Sequence, residues 1–161
     1  MRLILIDDVI AGAIESDEFE RVVGARLGPC SELASTVVRQ TRAMLVASPR
    51  ESQFGGYLAI SEDGYVVGTG GFKAGPSSTG AIEIAYFTFP PYEGRGHATG
   101  VARELVRIAM ASPSTRCVLA HTLPERNAST RILEKVGMRF CGEVEDPDDG
   151  TVWKWQVERA P

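Results

Sequence analysis

The chain has 161 residues, 43% of them hydrophobic and 24% charged, and a formal net charge of -4. That is ordinary globular composition with enough length for one well-buried core, so a single domain over residues 1–161 is expected. The acidic balance excludes a general attraction for nucleic acid or an anionic membrane, and any polyanionic ligand has to be held by local features.

Three cysteines, Cys30, Cys117 and Cys141, are far apart and lack paired metal-ligand spacing. Their odd number argues against a complete disulfide framework, so a reduced, cytoplasmic setting without a metal is expected. Leu3-Ile-Leu-Ile6 stops at Asp7-Asp8, too short for a signal-peptide core or a bilayer span, and predicts a first strand. From about Ser16 to Ala47 the pattern is helical. Leu33, Val37, Met44 and Leu45 recur at helical steps, Ser31 is placed as an N-cap, and Gly28-Pro29 divides the segment into two helices.

From Gly56 the period changes toward two. Tyr57–Ile60 and Val66–Phe72 read as hairpin strands joined through Ser61-Glu-Asp-Gly64. A loop from Gly75 to Gly80 leads to a strand from Ala81 to Phe89. The helix from Ala98 to about Ala111 carries Ala98, Val101, Ala102, Leu105 and Ala109 on one face, and Ser112-Pro113 ends it. A strand Cys117–His121, a helix Ala128–Val136 with Gly137 as its C-terminal stop, and two closing strands follow. In the last strand Trp153, Trp155 and Val157 share a face that reads as core, and Asp146-Pro-Asp-Asp-Gly150 supplies the turn before it.

Tyr92-Glu-Gly-Arg-Gly-His-Ala-Thr99 is the most informative segment. Gly94 and Gly96 lie between a strand and a helix, where backbone amides can crowd around a phosphate and the helix N-terminus adds about half a positive charge. Arg95 adds a full charge. A bare G-x-G also suits a tight turn or the start of a dinucleotide fingerprint. The dinucleotide reading is weakened because Thr99 stands at the third glycine position and no acidic residue ends the next strand. A phosphate loop of the Gly-Lys-Ser/Thr kind is absent.

Three blocks together resemble the GNAT superfamily of N-acetyltransferases, and within it the branch that includes enzymes acetylating the N-termini of ribosomal proteins. They are Glu83-Ile-Ala-Tyr86, Glu93-Gly-Arg-Gly-His-Ala98, and the stretch from Pro124 to Met138 around Ser129 and Leu133. The resemblance implies an α/β fold: a mixed, twisted sheet of about six to seven strands with the fourth and fifth splayed apart, flanked by about four helices. It implies acetyl-CoA as cosubstrate. Backbone groups of Tyr86, Phe87 and Thr88 would pair with the pantetheine arm, and amides of Gly94, Arg95, Gly96, His97, Ala98 and Thr99 would hold the pyrophosphate. Arg126, where the family's usual Asn stands, or Asn127 one step later would also contact the cofactor, and Ser129 would approach its sulfur. Two departures stand out: Glu93 replaces the family's usual Arg or Gln, and Leu133 replaces the Tyr that many members use to protonate the departing thiolate.

Transfer to an amine needs a neutral nitrogen. A lysine-like amine with pKa about 10.4 is neutral about once in a thousand at pH 7.4, whereas an N-terminal amine at about 7.7–8.0 needs far less help. Glu83 interrupts an apolar strand and is the first candidate base, with a structural Glu as the alternative. His121 at the end of the fifth strand is the second, and Ser129 is a candidate hydrogen-bond donor to the sulfur or a helix cap. The reading is an acetyl-CoA-dependent N-acetyltransferase acting on a small-molecule or peptide primary amine in a ternary complex, as monomer or homodimer. Non-catalytic acyl-CoA binding and a nucleotide-dependent oxidoreductase are the competing classes.

Overall fold

A computed structural model of the chain describes residues 1–161. The first strand, β1 (Arg2–Leu5), leads into helix α1 (Asp8–Glu15). Asp7, expected only to interrupt the apolar run, is the N-cap of α1. Its carboxylate accepts the Ile10 N–H at 2.9 Å, and Asp8 places a negative charge in the first turn. The helical region therefore begins before Ser16. Between Ser16 and Glu18 the chain breaks instead, with Asp17 at φ +58, and a short α2 (Phe19–Val23) ends at Gly24, φ +71.

After a single 3₁₀ turn over Gly28–Cys30, α3 runs from Ser31 to Ala47. Its cap position is Cys30, so the expected Ser31 cap is displaced by one residue. The turn that Pro29 starts already carries the chain into the helix. The packed face of α3 is also not the predicted large-residue stripe: Ala34 and Val38 are buried, Leu33, Val37 and Leu45 are half-buried, and Met44 is exposed. Small residues win because the helix lies close to the sheet. A Cβ added at Gly56 would sit 2.6 Å from Thr41 Cγ2.

The remaining elements are β2 (Gly56–Ile60), β3 (Val66–Phe72), β4 (Ala81–Thr88), α4 (His97–Ala111), β5 (Cys117–Thr122), α5 (Ala128–Lys135), β6 (Arg139–Asp146) and β7 (Gly150–Glu158). The expected hairpin turn forms at Gly64, φ +80. The closing turn is built as its acidic sequence predicts, with Asp146 accepting the amides of Asp148 and Asp149. Five α-helices flank the sheet instead of about four, because the N-terminal segment divides into three.

All seven strands join one sheet in the order β1-β2-β3-β4-β5-β7-β6, antiparallel throughout except between β4 and β5. That single parallel pair is short. Only Ala81, Ile82 and Glu83 meet Cys117, Val118 and Leu119, and from Ile84 onward the two strands part. One core lies under α4 and α5, where Val101, Ala102, Leu105, Ala109 and Leu133 meet Ile82, Ile84, Val118, Ala120 and Trp155. A second packs α1, α2 and α3 on the opposite face through Phe19, Ala34, Val38, Leu58 and Phe89. Trp155 is core as expected, while Trp153 is only half-buried and stacks on Phe140 at 4.9 Å. Leu105 is fully buried, and Leu105→Ala would cost about 2–5 kcal/mol, enough to loosen the seating of α4 on the sheet.

Candidate active site

Alternation along β4 decides what each residue faces. Ile82, Ile84 and Tyr86 point toward α4, so Glu83, Ala85 and Phe87 point to the α3 side. The backbone alternates as well. Lys73 N–H donates to the Glu83 carbonyl and Phe89 N–H to the Val67 carbonyl, so the odd-numbered residues pair with β3. The N–H and C=O groups of Tyr86 and Thr88 consequently face the gap that β5 has left. They form a short open strand edge inside the protein.

A cavity of about 680 Å³ opens from this gap toward the start of α4. Tyr86, Phe87, Thr88, Gly94, Gly96, His97, Ala98, Thr99 and Ser129 line it. Gly96 caps α4 in the left-handed region, φ +81, and no side chain caps the helix. The first N–H groups of α4 are therefore open to an anion. The start of α5 is the opposite case. Asn127 and Thr130 form a reciprocal capping box there, so two of the N–H groups at that helix end are taken by its own side chains. Asn127, not Ser129, is the cap, which leaves the Ser129 side chain without that structural task.

Arg95, Arg126 and Asn127 do not line this cavity. Arg95 lies 5.8 Å over the Tyr92 ring, and Arg126 pairs with Glu134 at 2.5 Å. Arg131 and Lys135 do line it, and with Ala128 and Ile132 they form the cavity-facing stripe of α5. The spacing 128-131-132-135 was available in the sequence as one helix face. Glu93 lines the cavity too, beside its two cations in the lining. His97 is held below the usual histidine range, chiefly by burial and then by Arg95 and the N-terminal amine, partly offset by Asp63. Leu133 is fully buried in the core and reaches no cavity.

On the other face lies a second cavity of about 420 Å³ between α3, β3 and β4. It shares Tyr86 and Phe87 with the first, so both cavities abut the same point of β4. Lys73 lines it and connects it to a charged group: Glu83 Oε1 is 2.5 Å from Lys73 Nζ and 2.8 Å from His121 Nδ1. The Glu83 and His121 side chains are 20% and 15% exposed, sheltered but reachable by water. The structure thus joins the two candidate bases into one unit and adds Lys73, which sequence reasoning missed. Partial burial pushes the Lys73 ammonium down, but the bond to Glu83 and the charges of Glu83, Asp146 and Asp149 outweigh it and hold it above its ordinary value. Burial alone pushes the Tyr86 hydroxyl up to about 12. No group of three or more His, Cys, Asp or Glu gathers to hold a metal, and no helix is long and apolar enough to cross a membrane.

Comparison with known proteins agrees with this architecture. A Bacillus subtilis (strain 168) protein described as the uncharacterized N-acetyltransferase YjdG is 27% identical over 97 residues, 60% of this chain. The match spans 58% of that relative's length. Among solved structures, the RimL ribosomal L7/L12 alpha-N-protein acetyltransferase in complex with coenzyme A superposes with a TM-score of 0.66 at 13% identity, covering 97% of this chain and 92% of that one. A spermidine N-acetyltransferase SpeG variant from Vibrio cholerae gives 0.64 at 10% identity over 98% and 95%. At such identities the two superpositions speak for the fold. The acetyltransferase (GNAT) domain family matches residues 6–139, most of the chain. With its splayed β4 and β5 and its open α4 N-terminus, the chain belongs to the GNAT acetyltransferase family.

Proposed function

We propose that the protein is an acetyl-CoA-dependent N-acetyltransferase that acts on a primary amine in a ternary complex. The observation that carries this reading is a pair of cavities that share Tyr86 and Phe87, one ending at uncapped amides and the other lined by Lys73, which pairs with Glu83 and through it with His121. The first fits a coenzyme: α4 amides and the Arg131 and Lys135 side chains suit a pyrophosphate, and the Tyr86 and Thr88 backbone suits an extended amide-bearing arm. The thioester would then lie at the β4 gap, where the second cavity gives an amine its approach.

In that arrangement the amine nitrogen attacks the thioester carbonyl carbon, the C–N bond forms, and the C–S bond breaks to release thiolate. The proton leaving the nitrogen passes, directly or through water, to the Glu83–His121 unit. Lys73 fixes the position of Glu83 through their 2.5 Å contact. Glu83 in turn accepts from His121 Nδ1–H, which orients the ring and directs Nε2 away from that contact. The Tyr86 hydroxyl stays protonated at neutral pH and can donate a hydrogen bond at the gap, whereas Leu133 is buried in the core and carries no donor.

Coenzyme A release followed with a thiol reagent, across amines and N-terminal peptides, tests the reading. Amine-dependent release is expected, together with saturable binding of coenzyme A in calorimetry. Tight binding without release from any amine would favour a non-catalytic acyl-CoA-binding module. Binding of NAD that coenzyme A does not displace would refute the coenzyme assignment.

A further inference from the structure

Although the family includes catalysts for very different amines, the second cavity has a definite chemistry of its own. Val37 and Met44 of α3 form one wall and Ala85 and Phe87 of β4 the other. Phe87 is 47% exposed and Met44 37%, so apolar surface faces the cavity mouth without a protein partner. The polar side chains at its wall, Gln40, Thr41 and Thr69, are uncharged, and Thr69 Oγ1 already donates to the Tyr57 carbonyl at 2.8 Å. No carboxylate lines the cavity. Its single charged group is the Lys73 ammonium.

A polycation placed there would need an acceptor for each ammonium taken out of water, because an unpaired buried charge is strongly penalised. Glu83, the nearest carboxylate to this lining, is held by Lys73 and His121. Asp146 and Asp149 act on Lys73 from the β6–β7 hairpin, but both lie outside the lining, and Asp146 is turned into its own turn. Those acids favour the approach of a charged amine to the mouth without following it inside. Within the cavity, apolar walls and the Lys73 charge both disfavour an ammonium and favour the neutral amine, the form that can attack.

We propose, on the reading that this chain is an acetyl-CoA-dependent N-acetyltransferase, that its acceptor is a small primary monoamine with an uncharged, apolar or aromatic body. The body fills the α3–β4 cavity and the amine points to the gap at Tyr86 and Phe87. About 420 Å³ lies within the roughly 300–1,000 Å³ of small-molecule sites. Tyr86 and Phe87 line both this cavity and the proposed coenzyme cavity, so an amine at that end would lie next to the thioester.

The test is a steady-state comparison of phenethylamine and hexylamine with spermidine, kanamycin and an N-terminal Ala peptide, with coenzyme A affinity measured separately. The monoamines are expected to show kcat/KM about tenfold or more above the others. Met44→Glu, at an exposed position, is expected to cut monoamine kcat/KM about tenfold with coenzyme affinity unchanged. Coenzyme binding with spermidine or kanamycin as the better substrate would overturn the monoamine assignment alone. Preference for the peptide would overturn its small-molecule part. Loss of coenzyme binding in the unaltered protein would overturn the acetyltransferase reading itself. An unchanged monoamine kcat/KM in Met44→Glu would remove the α3 wall from the acceptor site.

Discussion

Two helix N-termini flank the larger cavity, and they are finished in opposite ways. At α5, Asn127 and Thr130 satisfy the end internally, while at α4 a left-handed Gly96 supplies geometry and no capping oxygen. A capping box contributes about 1 kcal/mol to stability and takes up two of the N–H groups at its helix end, so leaving α4 uncapped forgoes some stability for binding capacity. The same contrast recurs across the sheet. The α4 side is built from backbone groups set by a local sequence, and the α3 side from side chains brought together from distant segments.

The largest expected effect lies on the α3 side. Glu83→Gln should lower kcat about 10²–10³-fold with little change in KM for acetyl-CoA, because it replaces the charged acceptor beside the His121 ring with a neutral amide that can neither take up a proton nor stabilise an imidazolium. Steady-state kinetics across pH would check it. Unchanged pH–rate profiles in both Glu83→Gln and His121→Gln would break the assignment of base catalysis to that pair.

Next in size is the cradle itself. Gly96→Val forces a β-branched residue to φ +81, and misplacing two charge-assisted N–H donors should weaken coenzyme A binding about 100-fold. The matched change at the capped end, Asn127→Ala, should lower stability by about 1 kcal/mol and leave the affinity alone. Calorimetry and thermal unfolding on the pair would separate the two helix ends. Equal losses of affinity would erase the distinction between them.

A tenfold effect is expected from the α5 stripe. Arg131→Ala with Lys135→Ala should weaken coenzyme A binding about tenfold at low salt, and the difference should shrink as salt rises. His97 gives the smallest and most diagnostic change. Its pKa is lowered in the unliganded protein, whereas a bound pyrophosphate would raise it. Binding should therefore take up a proton, and affinity should increase about two- to fivefold as pH falls from 7.5 to 5.5, an effect that His97→Gln removes. In the unliganded protein the sign is opposite. With the folded pKa depressed, His97 contributes stability above its unfolded value near 6.5 and loses it as pH falls through that value toward the folded pKa.

The α4 half of the fold was the more legible because its information is local. Glycines at 94 and 96, the apolar face from Ala98 to Ala109 and the turn at Asp146 each state their geometry within one segment. The N-terminal helices were read less well. Asp7-Asp8 is at once a strand end, a cap and a first turn, and a scan that treats it as an interruption starts the helical region too late. The large residues of α3 gave the wrong face because its close approach to Gly56 selects Ala34 and Val38 instead. Lys73 carried no signal, being the first residue after a hairpin strand. Its role exists only through the β3–β4 pairing that lays it beside Glu83. Arg131 and Lys135 were readable from helical spacing, whereas the family motif directed attention to Arg126 and Asn127.

The two cavities are held to be one reaction channel that passes through the sheet between β4 and β5. A crystal structure with a covalent adduct of coenzyme A, its sulfur joined through an acetyl bridge to phenethylamine, tests this most directly. The pyrophosphate is expected on the α4 amides, the pantetheine arm against the backbone of Tyr86 and Thr88, and the phenyl ring between Met44 and Phe87. An adduct confined to the α4 face, with its amine portion in solvent and the α3–β4 cavity unfilled, would contradict it.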